Sequence, residues 1–194
     1  MCNLFRLEKP HAAVAHFARE LGRTITYPEG IPNWEPLPEI RITDRAPILR
    51  LAPSGEVELV QRRWSWPGPG GRPVYNFRAE GRSFTTGRCL VPADGFFEFT
   101  AHSDPKSKRK NKWLFTLRGS PCFALAGLWR ADPAVGEAFT LLTGEPGPDV
   151  APYHHRSIFV LPLSEASRWL DPAVPASEVL RPPLAGALTV EQVQ

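Results

Sequence analysis

A cysteine stands at position 2, directly behind a methionine. A small second side chain permits removal of that methionine, and cysteine is small enough. The processed chain then begins with an α-amine and a thiol on one residue. Such a 1,2-aminothiol attacks a carbonyl twice, first through nitrogen and then through sulfur. A terminal amine titrates at about 7.7–8.0, so a useful fraction is unprotonated near neutrality. The sulfur reacts as a thiolate, which an electropositive, partly exposed setting favours. Most cysteines, however, are small buried hydrophobes.

Other residues can serve such a nucleophile. In Gly95-Phe96-Phe97-Glu98-Phe99-Thr100, strand alternation puts Phe97 and Phe99 on one face and Phe96, Glu98 and Thr100 on the other. Glu98 amid apolar neighbours is expected to be at least half buried. Its pKa then rises toward the range useful for proton transfer. The alternative is a solvent-facing strand residue. Asn76 and Arg78 share a face if their segment is extended. An amide beside a guanidinium suits holding a nucleophile next to a phosphate. In Tyr153-His154-His155-Arg156 the two histidines point oppositely if extended, so one of them reaches any given site. Histidine is the side chain that titrates near neutrality. Trp64 and Trp66, beside Arg62, Arg63 and Arg78, suit stacking on unpaired bases, although tryptophan is as readily a core residue.

These residues need elements to hold them. Val14, Phe17 and Leu21 predict a helix over His11–Leu21, with Gly22 as its stop. Tyr27–Pro38 reads as a proline-rich loop. Ala46–Leu51 and Glu56–Trp64 predict a hairpin around Pro53-Ser54-Gly55. Trp66–Pro73 reads as a Pro/Gly loop. Arg88–Pro92 and Gly95–Thr100 predict short strands, and 101–112 a polar excursion. Trp113–Arg118 and Cys122–Trp129 predict a second hairpin around Gly119-Ser120. Ala138–Thr143 and Ser157–Leu161 predict strands, and Leu163–Leu170 a helix capped by Ser164. Within the proline-rich C-terminal segment 171–194, Asp171–Pro183 reads as proline-broken with room for one helical turn. The sum is a single α+β domain over residues 1–194: a β-rich, barrel-like mixed sheet with a few short flanking helices.

Composition narrows the classes. The chain has 194 residues and 42% hydrophobic content, enough for a normal core, and 22 prolines that favour short elements. No apolar run approaches the ~20 residues of a membrane helix, and no signal core follows the start. Cys2, Cys89 and Cys122 form no CxxC pattern, which suits a reducing cytoplasm and gives neither a disulfide framework nor a metal site. The net charge is +3. Five cations fall between Lys106 and Lys112, and without them the balance is −2. A run like that is ordinarily a solvated loop and attracts phosphate only generally.

In this order, the pieces resemble the SOS response-associated peptidase family of abasic-site processing proteins. The matching residues are Met1-Cys2, Arg63-Trp64, Asn76-x-Arg78, the block Arg88-Cys89-Leu90-Val91-Pro92-Ala93-Asp94-Gly95-Phe96-Phe97-Glu98-Phe99, and His154-x-Arg156. The chain departs from the family's usual Met-Cys-Gly-Arg start. The resemblance implies a barrel-like fold with a basic groove for single-stranded DNA. It implies that Cys2 bonds covalently to the aldehyde of an abasic site and closes a thiazolidine, and that Met1 is removed by autopeptidase action. Asn76 then orients Cys2, Glu98 and His154 are the active-site glutamate and histidine, and Arg78 binds phosphate. Arg63, Trp64, Trp66 and Arg156 are the further DNA-binding expectations. No cofactor, metal or membrane is expected, and a cytoplasmic, nucleoid-associated monomer is. An N-terminal-nucleophile amidohydrolase and a non-enzymatic basic DNA-binding module are the competing readings.

Overall fold

The computed structural model describes residues 2–194; Met1, and with it the expected removal of Met1, lies outside the described residues. In chain order the strands are β1 (Leu4–Leu7), β2 (Ile25–Thr26), β3 (Leu37–Arg41), β4 (Arg45–Leu51), β5 (Val57–Trp64), β6 (Trp66–Pro67), β7 (Pro73–Val74) and β8 (Asn76–Arg78). There follow β9 (Arg88–Ala93), β10 (Gly95–Ala101), β11 (Lys110–Leu117), β12 (Phe123–Asp132), β13 (Gly136–Gly144), β14 (Ser157–Ile158), β15 (Val160–Leu161) and β16 (Leu188–Gln192). The helices are α1 (His11–Glu20), α2 (Leu163–Leu170) and α3 (Ala176–Val179).

Five strands close on themselves. The order runs β13-β12-β9-β4-β5, and β5 returns to β13 through parallel pairs Ala138↔Arg63 and Phe139↔Trp64. The ring leaves no open edge between these strands, so every strand of it is paired on both sides. Both faces of these strands are covered, since the neighbours Ile48 and Leu49 point oppositely and yet Ile48, Leu49, Leu59, Leu90, Phe123 and Phe139 are all buried. A second sheet, β16-β11-β10-β1-β3, lies beside the barrel. The chain passes from barrel to second sheet at Asp94, between β9 and β10.

The helix over His11–Leu21 forms as expected, with Val14, Phe17 and Leu21 buried and Gly22 at φ 72°. The first hairpin forms too, with Ile48 opposite Val60. Four expectations need correction. Trp113–Arg118 and Cys122–Trp129 do not pair with each other: β11 pairs with β10 and β16, whereas β12 pairs with β13, β9 and β15. Phe115 stacks on Phe96 at 4.9 Å, so β11 finds its apolar partner in the second sheet. The polar excursion is shorter than 101–112, because β10 runs to Ala101 and β11 starts at Lys110. Ser164 lies inside α2; Pro162 stands at its N-cap, without a side-chain cap. Strand β3 begins at Leu37, inside the expected loop, and β16 forms near the C-terminus where no element was expected, while α3 is the one helical turn expected within Asp171–Pro183.

Candidate active site at the chain start

Strand β1 brings the chain start into the molecule. It lies between β10 and β3, with Phe5 opposite both Phe96 and Ile40. Continuing the β10 register carries residues 2–4 alongside residues 97–99. Asp94 locks this strand end in place. Its carboxylate accepts from Arg6 Nε at 2.7 Å and from the backbone N–H groups of Glu8 and Lys9 at 2.5 and 3.1 Å. Gly95 sits opposite Arg6, where a Cβ would lie 2.7 Å from Leu114 Cδ1 and 2.9 Å from Arg6 Nε. Any side chain at position 95 would therefore have to displace the side chains of Leu114 and Arg6.

Cys2 is 1% exposed, so the chain does not begin as a frayed end. Its Sγ donates to the Leu4 carbonyl at 3.2 Å. Asn76 Nδ2 donates to the Cys2 carbonyl at 2.7 Å, while Asn76 Oδ1 is buried and accepts no hydrogen bond among the described residues. Asn76 reaches Cys2 because β8 pairs in parallel with β13, Asn76 opposite Leu141 and Arg78 opposite Thr143. Burial pushes the Cys2 thiol far above its usual range, and the Glu98 carboxylate adds to the effect. The expectation that basic surroundings favour a thiolate here is thus corrected. The sulfur is a protonated thiol that needs a base.

Glu98 is 2% exposed and lies cross-strand from Trp113 on β11. Trp113 Nε1 donates to Thr100 Oγ1 at 2.9 Å on that same face. The opposite face carries Phe97, packed with Leu4, Leu114 and Phe99. The predicted alternation therefore holds, and burial raises Glu98 to about 7. That value makes it competent to give and take a proton near neutrality.

His154 arrives on the loop after β13. Tyr153 packs on Trp113 at 4.7 Å and on Phe115 at 5.3 Å, which fixes this loop against β11 beside Glu98. Arg156 anchors its other end, donating from Nη2 to the Thr143 carbonyl at 3.0 Å. Thr143 is the partner of Arg78, so the His154 loop and the Asn76–Arg78 strand are held on one scaffold. His154 Nδ1 lies 3.0 Å from both the Arg156 backbone N–H and the Arg156 carbonyl, so this backbone holds the ring in place in either tautomer. Burial, first among the causes, lowers its pKa and favours the neutral form.

The DNA-binding expectations fare differently. Arg78 is exposed at the end of β8. Arg63 is half-buried and donates to the Thr43 carbonyl at 3.4 Å. Arg156 is largely consumed by Glu80, at 2.8 Å, and by Thr143. Trp64 and Trp66 are 0% and 6% exposed, so neither presents a face to a base. Trp64 donates to the Tyr75 carbonyl at 2.9 Å and meets Phe5 edge-on at 5.0 Å. Between them Ser65 has φ 100°, which breaks the extended geometry behind the shared-face expectation. Residue-by-residue reading missed the positioning roles of Asp94, Thr143 and Tyr153. Only Asp94 left a signal, as the Asp-Gly turn between two apolar runs. Among the described residues no cluster of metal-ligating side chains exists, and no helix is long and apolar enough to cross a membrane.

A barrel flanked by a second sheet, with a buried cysteine at residue 2 held by the Asn76 amide and close enough to Glu98 to feel its charge, defines a recognisable class. The SOS response associated peptidase (SRAP) pattern matches residues 1–194, and the chain belongs to that family. It is 28% identical over 160 residues to the abasic site processing protein YoaM of Bacillus subtilis strain 168, across 73% of this chain and 69% of that protein. Its fold is similar to a crystal structure of a phage-related protein from Bordetella bronchiseptica, with TM-score 0.76 and 22% identity over 100% of this chain and 94% of that one. A Bacteroides thetaiotaomicron protein superimposes with TM-score 0.72 and 21% identity, over 100% and 92% of the two chains.

Proposed function

We propose that this protein captures abasic sites in single-stranded DNA by covalent bonding through Cys2 after Met1 is removed. The observation that carries this reading is the 2.7 Å hydrogen bond from Asn76 to the Cys2 carbonyl. It grips residue 2 by its own carbonyl, so the grip does not depend on residue 1. The buried Asn76 Oδ1 then offers an acceptor for a newly freed α-amine.

The chemistry proceeds in balanced steps. The Cys2 amine adds to the aldehyde carbon of the ring-opened abasic sugar. Glu98, with a pKa of about 7, protonates the departing hydroxyl, and water leaves with formation of an imine. The thiol adds to the imine carbon, its proton passes to Glu98, and the nitrogen regains a proton as the five-membered ring closes. The product is a thiazolidine and one water. Ring closure is intramolecular, where effective molarities reach on the order of 10⁵ M or more. The raised pKa of Cys2 is compatible with this route, because Glu98 serves as the base that the thiol requires. His154 assists at the sugar oxygen as the furanose opens. Arg78 holds a neighbouring phosphate. A single strand suits such a pocket, since the nucleotide enters without unstacking a duplex.

Commitment of Asn76 Nδ2 to the Cys2 carbonyl argues against an amidohydrolase that would use it as an oxyanion donor. The test is incubation of the purified chain with a single strand bearing one abasic site, read by denaturing gel and intact mass. A heat-stable adduct is expected, lighter by one water than the sum of DNA and the Met1-processed chain. Cys2→Ala should abolish it, and Glu98→Gln should slow it by about 100-fold or more. An undiminished adduct with Cys2→Ala would refute the mechanism.

A further inference from the structure

The β10–β11 hairpin extends beyond the second sheet, and its tip carries Lys106, Lys108, Arg109 and Lys110, all exposed. None of these four makes an ion pair among the described residues. By contrast, Arg6, Arg50, Arg62, Arg130, Arg156 and Arg168 each lie within 3.0 Å of a carboxylate. Asp104, the acid within the tip, turns inward to the backbone, where its Oδ1 accepts from the Lys106 N–H at 2.9 Å. Without these four charges the net charge falls from +3 to −1. The tip therefore supplies the whole positive excess of the protein, and it supplies it in one place.

That place is built onto the site. Glu98 belongs to the hairpin stem, and Trp113 and Asn111 face Glu98 and Thr100 across it. From Glu98 to Ala101 the strand advances about 10 Å, at ~3.3 Å per residue. The 102–109 segment adds at most about 14 Å if it folds back midway. Cations thus lie roughly 10–24 Å from the reacting carboxyl, along the direction of β10. A stacked strand advances about 3.4 Å per nucleotide, so the interval corresponds to about three to seven nucleotides.

We infer that this hairpin tip is a phosphate-binding arm for the nucleic acid strand beyond the lesion, about three to seven nucleotides from the abasic site. The inference rests on the single-strand reading of the site. It assigns lesion chemistry to the cleft and strand grip to the arm, and the two are separable. Four flexible cations on an exposed turn read no base sequence. They exchange condensed counterions for protein charge, and the resulting affinity is strand-length-dependent and salt-dependent.

The experiment compares the native chain with a variant carrying Lys106→Ser, Lys108→Ser, Arg109→Ser and Lys110→Ser, and with one carrying Lys106→Arg, Lys108→Arg and Lys110→Arg. Affinity is measured by fluorescence anisotropy over a salt series on single strands with about two or about ten nucleotides flanking the central site on each side. For the longer strand, the serine variant should lower the slope of log K against log salt by about 3, at ~0.7 per phosphate contact. For the shorter strand the slope should change by less than about 1, and the arginine variant should behave as the native chain on both. Adduct formation at saturating DNA should be unchanged in all three. Equal slopes for native and serine chains on the longer strand would overturn the arm. So would an equal loss on both strands, which would mark general attraction rather than contact. If no chain forms an adduct yet the length-dependent slope change persists, the arm stands and the lesion chemistry falls.

Discussion

At the scale of single residues, Glu98 connects stability to function. A carboxyl raised from its ordinary 4.5 to about 7 binds its proton more tightly in the folded chain than in the unfolded one. Its contribution is fully present below about pH 4.5 and is lost as pH rises through about 7. The loss approaches about 3 kcal/mol, at ~1.4 kcal/mol per unit. Glu98→Gln, which cannot ionise, should therefore be nearly neutral for stability at pH 4.5 and stabilising by up to about 3 kcal/mol at pH 8. Urea unfolding at the two pH values reads this directly; a gain confined to the acidic sample would contradict the assignment. Catalysis should move the opposite way, because the same substitution removes the proton carrier. Ser65 is a second residue under tension. At φ 100° it adopts a backbone conformation that side chains resist, and its Oγ is buried without a hydrogen bond. Ser65→Gly should raise stability by about 1 kcal/mol, the relief of strain exceeding the added freedom of the unfolded chain. An unchanged or lower urea midpoint would show that Ser65 is not strained.

At the scale of elements, the site depends on where strands end. Strand β1 would be a short terminal segment prone to fray, but Asp94 ties it down at the turn where the chain changes sheets. The carboxylate satisfies two backbone donors and one guanidinium at once. Asp94→Ala should cost about 1–3 kcal/mol, since it leaves three part-buried donors unpaired. It should also slow adduct formation although Asp94 touches no reacting atom. Asp94→Asn should recover part of both, because the amide oxygen still accepts; identical loss with both substitutions would show that charge alone matters. The histidine loop is anchored by the same logic. Arg156 spends its guanidinium on Glu80 and Thr143, which anchors the loop that carries His154 and leaves less of its charge to meet a phosphate.

At the scale of the whole molecule, barrel and second sheet form one folding unit. The core is continuous from Cys2 and Phe5 through Phe96 and Phe115 to Phe139 and Trp169. Strands β9 and β10 are one run of chain interrupted only by Asp94. Separate melting of the two sheets would break that shared core. Unfolding in urea should therefore give coincident transitions by tryptophan fluorescence and far-ultraviolet circular dichroism. Trp64 and Trp169 report the barrel side, and Trp113 reports the second sheet. A fluorescence change preceding the loss of circular dichroism would show two independent units.

Local pattern determined much of this. Period-two alternation placed Glu98 on the opposite face from Phe97 and Phe99, and helical spacing placed α1, because both signals depend only on neighbours along the chain. Residue types raised Cys2, Glu98, Asn76 and one of two histidines as candidates, and the family resemblance chose His154 and gave Asn76 its orienting role. Tertiary structure decided the rest. The partners of β11 and β12 depend on which edges remain open after the barrel closes, and no turn signal at Gly119-Ser120 contains that information. Burial of Trp64 and Trp66, and the protonated state of the Cys2 thiol, follow from what the rest of the chain packs around them. Whether a side chain meets solvent or core is a sum over contacts distant in sequence, and those contacts exist only once the molecule has folded.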